Sequence, residues 1–142
     1  MTSSAADIAD VTSRKDSSVM TATIGAAQKI ADAYVRAWTG GDAEKALSLV
    51  ADDVVCEAPT GRIEGIEGYR QFLAPFVGMV ANGKVLDVLG HDTHAATVYA
   101  VDLPFVQNLH GVEYLTVTDG KISHVISVFD TSPMVQARAA QG

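Results

Sequence analysis

The sequence predicts an α+β fold in which a curved antiparallel sheet packs on three helices. Through the first half of the chain, apolar residues recur at helical spacing. The second half consists of runs rich in β-branched residues, which are typical of strands. The dipeptide Asp119-Gly120 separates the last two runs and indicates a hairpin turn. Helices followed by a meander of strands favour the α+β class.

Three helices are predicted before residue 82. The first has its inward positions at Ala27, Ile30, Ala31, Tyr34, Val35 and Trp38. Gly40 and Gly41 end it, and Asp42 is suited to N-cap a second helix that reaches Val50. The third helix begins near Ile66, and Pro75 is expected to kink it. Its inward positions are Ile66, Tyr69, Phe72, Leu73, Phe76 and Val80.

The strands are predicted in one short and four longer runs. The short strand is 54–56, with a brief extended piece at 62–64, and the longer runs are 85–89, 95–103, 111–118 and 121–130. We expect one domain over residues 23–135. Residues 1–22 are polar and are expected to form a flexible N-terminal tail. Residues 136–142 are expected to be a loose C-terminal tail or a short fraying helix.

Composition excludes several classes of partner. The net charge of −7 argues against nucleic acid, because phosphate binding requires a basic surface. No apolar run approaches the ~20 residues of a membrane helix, and the N-terminus lacks the apolar core of a secretion signal. The single cysteine, Cys56, cannot form an intramolecular disulfide and is interpreted as a small buried hydrophobe. We therefore expect a cytoplasmic protein that binds neither nucleic acid nor membrane.

The sequence contains no motif for a metal or a cofactor. The four histidines lack the spacing of metal ligands, and there is no partner pair of cysteines. Glycine-rich nucleotide-binding motifs and the Gly-x-Ser-x-Gly motif are also missing from the sequence. We expect no metal and no cofactor.

Three acids near the ends of predicted strands are the candidate catalytic groups. Side chains alternate across a strand, so each acid shares a face with its apolar neighbours two residues away. The sets are Asp102 with Val98 and Ala100, Glu113 with Leu115 and Val117, and Asp130 with Ile126 and Val128. A buried carboxylate is costly unless it is paired or protonated, so such acids point to a functional pocket. The alternative is that they lie in water beyond the edge of the sheet.

Aromatic and aliphatic residues are expected to line the pocket beside these acids. Tyr34 lies on the inward face of the first helix, where its hydroxyl is a candidate hydrogen-bond donor; the alternative is a purely structural aromatic residue. The residues predicted to contact a substrate are Trp38, Phe72, Phe76, Val98 and Leu115.

From residue 30 to 129 the chain resembles the SnoaL-like group of NTF2-like proteins. The resemblance lies in the segments 33–42 (AYVRAWTGGD), 51–55 (ADDVV), 65–72 (GIEGYRQF) and 117–122 (VTDGKI), followed by 128–130 (VFD). The group is similar to ketosteroid isomerases, polyketide cyclases and limonene epoxide hydrolases. The resemblance implies a cone-shaped fold around one deep apolar pocket, in which a few buried acids determine the chemistry.

The ketosteroid isomerase comparison implies roles for two of the candidate residues. Tyr34 matches the tyrosine of the oxyanion hole, and Glu113 falls near its second acid, which donates a hydrogen bond when it is kept neutral by an apolar site. Ala58 stands where the general-base aspartate would be. The resemblance therefore does not extend to that family's proton transfer.

The other two comparisons both imply that Asp130 is a catalytic residue. Asp102 and Asp130 resemble the two aspartates that flank the catalytic water of limonene epoxide hydrolase, although Ala100 replaces the expected arginine. Asp130 also matches the aspartate of the cofactor-free aldol cyclases. Of the three comparisons, the one with the aldol cyclases disagrees least with the residues of this sequence.

Three functions from different classes follow. In the first, the protein is a cofactor-independent acid–base enzyme, of cyclase, isomerase or hydrolase type, acting on an apolar polycyclic or terpenoid-like substrate. Asp130 is then the base, and Tyr34 and Glu113 polarise a carbonyl. In the second, the same pocket binds a lipophilic ligand without chemistry, or the protein is a dimeric accessory subunit; a protein-interaction module is a weaker third option. Because both faces of the predicted sheet are apolar, we expect a homodimer.

Overall fold

The computed structural model describes residues 24–141, so the predicted N-terminal tail at 1–22 lies outside the described residues. The helices are α1 (Ala26–Thr39), α2 (Ala43–Leu47), α3 (Ile66–Met79) and α4 (Ser132–Gln141). The strands are β1 (Val50–Ala58), β2 (Gly61–Glu64), β3 (Asn82–Gly90), β4 (His94–Leu103), β5 (Val106–Thr118) and β6 (Lys121–Phe129). The predicted order of helices and strands is confirmed.

The six strands form one curved, unclosed sheet in the order β2-β1-β6-β5-β4-β3. Every neighbouring pair is antiparallel except β1 and β6, which run parallel, so the prediction of an entirely antiparallel sheet is wrong for that pair. α1 packs against β3, β4 and β5, and α3 packs against β1 and β2. The α+β class, with helices against a curved sheet, is confirmed.

Sheet pairing moves two predicted boundaries. α2 ends at Leu47, and Val50 begins β1 instead of continuing the helix, because Val50 pairs with Ile122 of β6. Tertiary pairing here overrides local helical periodicity. β5 begins at Val106, five residues earlier than predicted. Residues 132–141 form the fourth helix, α4.

The inner face of the sheet carries the core. Its central positions on β4, β5 and β6 form cross-strand rows, of which Ala95, Leu115 and Val125 form an apolar one. Two rows further along the strands, Tyr99, Gly111 and Phe129 are cross-strand neighbours. Gly111 is required there for space: a Cβ at this position would lie 2.2 Å from the Tyr99 hydroxyl oxygen. The Tyr99 ring therefore occupies the room that a side chain at residue 111 would fill.

The outer face of the sheet is also apolar, and no described helix covers it. Val98, Val112 and Val128 form one cross-strand row, and Ala96, Tyr114 and Ile126 form the next. Val128 is 57% exposed and Tyr114 is 44% exposed. The expectation that both faces are apolar therefore holds for the described residues.

Among residues 24–141, no helix has both the length and the apolar character needed to cross a membrane.

Candidate functional site

Glu113 is the one buried acid among residues 24–141. It lies at the middle of β5 on the inner face of the sheet, and only 3% of its surface is exposed. Its neighbour Leu115, two residues along the same face, is fully buried. The alternation of the strand thus carries this carboxyl into the core beneath the helices, where water does not solvate it.

Helices α1 and α3 supply the polar partners of this carboxyl. Trp38 Nε1 donates a hydrogen bond to Glu113 Oε1 at 3.1 Å, and the Tyr34 hydroxyl donates to Oε2 at 3.4 Å. Tyr34 and Trp38 are four residues apart, so both project from the same side of α1. The Tyr69 hydroxyl from α3 forms a short hydrogen bond with that of Tyr34. The result is a chain of polar groups from Tyr69 through Tyr34 to Glu113.

Burial shifts the acid–base behaviour of these groups. Desolvation raises the pKa of Glu113 from 4.5 to about 7, although the donors Trp38 and Tyr34 partly oppose the rise. Thr97 is the cross-strand neighbour of Glu113 on β4, but its hydroxyl has no hydrogen-bond partner among the described residues. Near neutrality Glu113 therefore has both its protonated and its ionised form populated, which is the property a general acid or base requires.

The two tyrosines remain protonated donors over the same pH range. Burial, followed by the negative charge of Glu113, raises the pKa of both Tyr34 and Tyr69 well above 10. Neither is a base, but either hydroxyl can stabilise a negative oxygen.

A narrow crevice leads to Glu113. It is lined by Trp38, Phe72, Leu73, Phe76, Tyr99, Glu113, Ser127 and Phe129. Its cavity volume is about 10 Å³, close to the space that one water molecule requires. The deep pocket that the family resemblance implies is thus not open in this structure, because aromatic rings fill the inside of the cone. The Phe76 ring lies 6.2 Å from Phe129 and 5.7 Å from Trp38.

Two predicted catalytic acids are not part of this site. Asp130 lies just beyond the end of β6 and is exposed; its Oδ1 accepts a hydrogen bond from the backbone N–H of Ser132 at the start of α4. That bond lowers the pKa of Asp130. Asp102 shares the outer face with Val98, and its Oδ1 accepts a hydrogen bond from the backbone N–H of Asn108, across the β4–β5 turn. Both aspartates accept hydrogen bonds from nearby backbone and do not contact Glu113, so the structure does not bring the three candidate acids together.

Of the five residues predicted to contact a substrate, three line the crevice and two do not. Trp38, Phe72 and Phe76 line the crevice. Leu115 faces inward but is fully buried one row away from it, within the core. Val98 belongs to the outer face, because inward positions on β4 are odd-numbered.

Three residues near Glu113 were missed by the sequence reasoning. Thr97 and Ser127 are its cross-strand neighbours on β4 and β6, and both are buried. The usable signal was a polar residue on a strand face whose other residues are apolar. That signal was applied to acids only, so the hydroxyls of Thr97 and Ser127 were not considered. Tyr69 was placed on the inward face of its helix without a partner for its hydroxyl. Ala58 is partly buried at the end of β1, and it carries no group that can move a proton.

Comparison with known proteins identifies the fold as NTF2-like. An NTF2-like protein from Burkholderia xenovorans has a TM-score of 0.66 at 20% identity, over 74% of this chain and 83% of that one. A family model described as a SnoaL-like domain matches residues 31–125, so the chain belongs to the SnoaL-like family. The resemblance seen in the sequence is thereby confirmed.

Two crystal structures of proteins from Kribbella flavida are similar in both sequence and fold. The first is 40% identical with a TM-score of 0.78, over 82% of this chain and 96% of that one. The second, a candidate ketosteroid isomerase, is 26% identical with a TM-score of 0.62, over 74% and 78% of the two chains. A search of the curated proteins found no match.

Proposed function

We propose that the protein is a cofactor-independent acid–base enzyme in which Glu113 moves the proton. The substrate is an apolar, ring-containing molecule with an oxygen function, of the kind handled by isomerases and cyclases. The observation that carries the proposal is a carboxyl that is 3% exposed, has a pKa near 7 and lies at the base of an aromatic crevice. Perturbed acids in clefts are typical of functional sites.

The roles of the neighbouring groups follow from their protonation. Ionised Glu113 removes a proton next to the substrate's carbonyl and, once protonated, returns it to another carbon. The Tyr34 hydroxyl and the Trp38 N–H donate to Glu113 and stabilise its ionised carboxylate, and the Tyr69 hydroxyl holds Tyr34 in place. This scheme uses one acid for both steps, consistent with Ala58 and with the exposed position of Asp130.

Substrate entry requires the crevice to widen. The ring of Phe76 must move away from Phe129, since the present cavity admits about one water molecule. Pro75 precedes Phe76 within α3 and lacks the N–H that would bond to the preceding turn. The helix is therefore least constrained at the turn that carries this ring, which supports an opening there.

The test is carbon–hydrogen exchange in D₂O, since enolisation can be detected without knowing the product. Cyclohexanone and the bicyclic 2-decalone serve as probes, and deuterium at the α-carbon is measured by mass spectrometry. The wild type is expected to exceed Glu113→Gln by roughly 10²–10⁴-fold. Asp130→Asn is the matched control, because asparagine also caps a helix and only the charge is removed. Equal exchange by wild type and Glu113→Gln would refute the role of Glu113, and loss of exchange in Asp130→Asn would restore Asp130 as the base.

Binding without chemistry is the second candidate, and Ala58 favours it, because it stands where the ketosteroid isomerases carry the general base and has no group that can move a proton. The ligand enters the same crevice, which must open for it as it does for a substrate. In that case 2-decalone shifts the fluorescence of Trp38, the single tryptophan, while no deuterium enters the ligand over a long incubation. Exchange that depends on Glu113 excludes this candidate.

We further propose a homodimer formed through the outer face of the sheet. The support is the exposed apolar row Val98–Val112–Val128 with Tyr114 beside it, since surfaces of this kind mark interaction sites. Light scattering at micromolar concentration should give twice the chain mass of 14.9 kDa, and Val128→Glu should give the chain mass. Val135→Glu on α4 is the matched control, because Val135 is also 57% exposed. A monomeric wild type would contradict the proposal.

A further inference from the structure

Glu113 is the centre of a polar row that crosses three strands. Thr97 on β4, Glu113 on β5 and Ser127 on β6 are direct cross-strand neighbours on the inner face. Their exposed fractions are 0%, 3% and 6%. The rows on either side are formed by Ala95, Leu115 and Val125 and by Tyr99, Gly111 and Phe129.

Ser127 differs from Thr97 in its access to the crevice. Ser127 and Glu113 both line the crevice, whereas Thr97 does not. Among residues 24–141, the buried side-chain oxygen left without a partner is Thr97 Oγ1, and Ser127 is not in that position because it borders the crevice. The Ser127 side chain forms no hydrogen bond to another residue of that range, so its hydroxyl is available to a molecule that enters the crevice. Ser127 is therefore the second polar group, beside Glu113, that a ligand in the crevice can reach.

We propose that Ser127 is a ligand-contacting residue that selects molecules with a second oxygen function beside the one that meets Glu113. Adjacent strands are about 4.8 Å apart, so the two side chains reach neighbouring positions of one small ring. The crevice walls are otherwise aromatic or aliphatic, apart from the Tyr99 hydroxyl, which lies over Gly111 one row away. The substrate class is then a compact β-hydroxyketone or a related dioxygenated ring, and not a ring with a single oxygen. This inference rests on the proposed function, because it assigns the substrate class of the same site.

A matched pair of neutral probes tests the inference. Binding of 3-hydroxycyclohexanone and of cyclohexanone to the full chain is followed through Trp38 fluorescence. The wild type is expected to bind the hydroxyketone about 5- to 10-fold more tightly, the usual worth of one hydrogen bond. Ser127→Ala is expected to reduce that preference to about 1, because the hydroxyketone then has no hydrogen bond that cyclohexanone lacks.

Thr97→Val is the control, because it removes a buried hydroxyl from the same row without changing the lining of the crevice. It should keep the preference of the wild type. The urea midpoint of Ser127→Ala should be equal to or above that of the wild type, whereas a structural hydrogen bond at Ser127 would lower it.

The outcomes separate this inference from the proposed function. If both probes bind and Ser127→Ala keeps the wild-type preference, the inference is wrong and the proposed function stands. If the preference falls equally in Thr97→Val, the effect belongs to the row and not to a contact from Ser127, and the inference is again wrong. If neither probe binds, the inference is wrong whatever the exchange experiment shows, and if D₂O exchange also fails, the proposed function is wrong as well.

Discussion

Glu113 should make the stability of this protein depend on pH in a defined direction. Its pKa rises from 4.5 in the unfolded chain to about 7 in the fold. Below pH 4.5 the carboxyl is protonated in both states, and its neutral form is tolerated in the core. As the pH rises through the window from 4.5 to 7, the unfolded chain releases the proton first, so the free energy of unfolding falls. Well above pH 7 the carboxyl is ionised in both states, and Glu113 causes no further fall in the free energy of unfolding.

The size of the loss follows from the shift. A change of about 2.5 pKa units corresponds to roughly 3 kcal/mol, at about 1.4 kcal/mol for each unit. Glutamine has a similar shape and does not ionise, so the free energy of unfolding of Glu113→Gln should not fall with pH for this reason. The difference in unfolding free energy between wild type and Glu113→Gln should therefore change by about 3 kcal/mol between pH 4.5 and 8, in favour of the variant at high pH.

Urea unfolding followed by Trp38 fluorescence is the assay. At a typical slope of about 2 kcal/mol per molar, the relative midpoints should move by about 1–2 M across the pH range. Glu64→Gln, an exposed acid on the edge strand β2, serves as the control for removing one surface charge. A difference between wild type and Glu113→Gln that stays constant from pH 4.5 to 8 would show that the carboxyl is not buried as described.

Three other predictions concern the surroundings of Glu113. Tyr34→Phe removes the hydrogen bonds to Glu113 and Tyr69 and should lower the free energy of unfolding by about 1–3 kcal/mol in urea titrations, and an unchanged midpoint would count against the network. Gly111→Ala places a Cβ 2.2 Å from the Tyr99 hydroxyl and should cost about 1–3 kcal/mol; a melting temperature equal to that of the wild type would show that the ring can move aside. The Cys56 thiol, buried and with a pKa raised to about 12 by desolvation, should react with a disulfide reagent at pH 8 only after unfolding, and rapid reaction of the native protein would contradict its placement.

The order of the elements could be predicted from the sequence because local signals agree with the fold. Helical spacing before residue 82, the stop at Gly40-Gly41 and the turn at Asp119-Gly120 are all reproduced in the structure. The departures lie where long-range pairing decides. Val50 belongs to β1 because it pairs with Ile122, and no local sequence pattern predicts that contact.

Strand alternation grouped the residues correctly but could not say which group faces inward. Asp130 does share a face with Val128, and Asp102 with Val98, as predicted from the period of two. That face is the outer one, and it is as apolar as the inner face, so hydrophobicity did not distinguish them. Glu113 was placed beside buried Leu115, and its register with Thr97 and Ser127 depends on strand pairing that the sequence does not show.

The closed crevice could not be predicted either. Trp38, Phe72 and Phe76 were expected as the walls of a deep pocket, and they do line the route to Glu113. How far their rings fill that route depends on side-chain packing between α1, α3 and the sheet. The sequence specifies the rings but not the space left between them.

A pH titration of Trp38 fluorescence tests the central claim most directly. Trp38 is the single tryptophan, and its indole N–H donates to the carboxyl of Glu113. Ionisation of that carboxyl should therefore change the emission of the folded protein with a midpoint near pH 7, and the transition should vanish in Glu113→Gln. If emission is constant between pH 5 and 9, or if the same transition persists in Glu113→Gln, then Glu113 does not carry the exchangeable proton on which the proposed function depends.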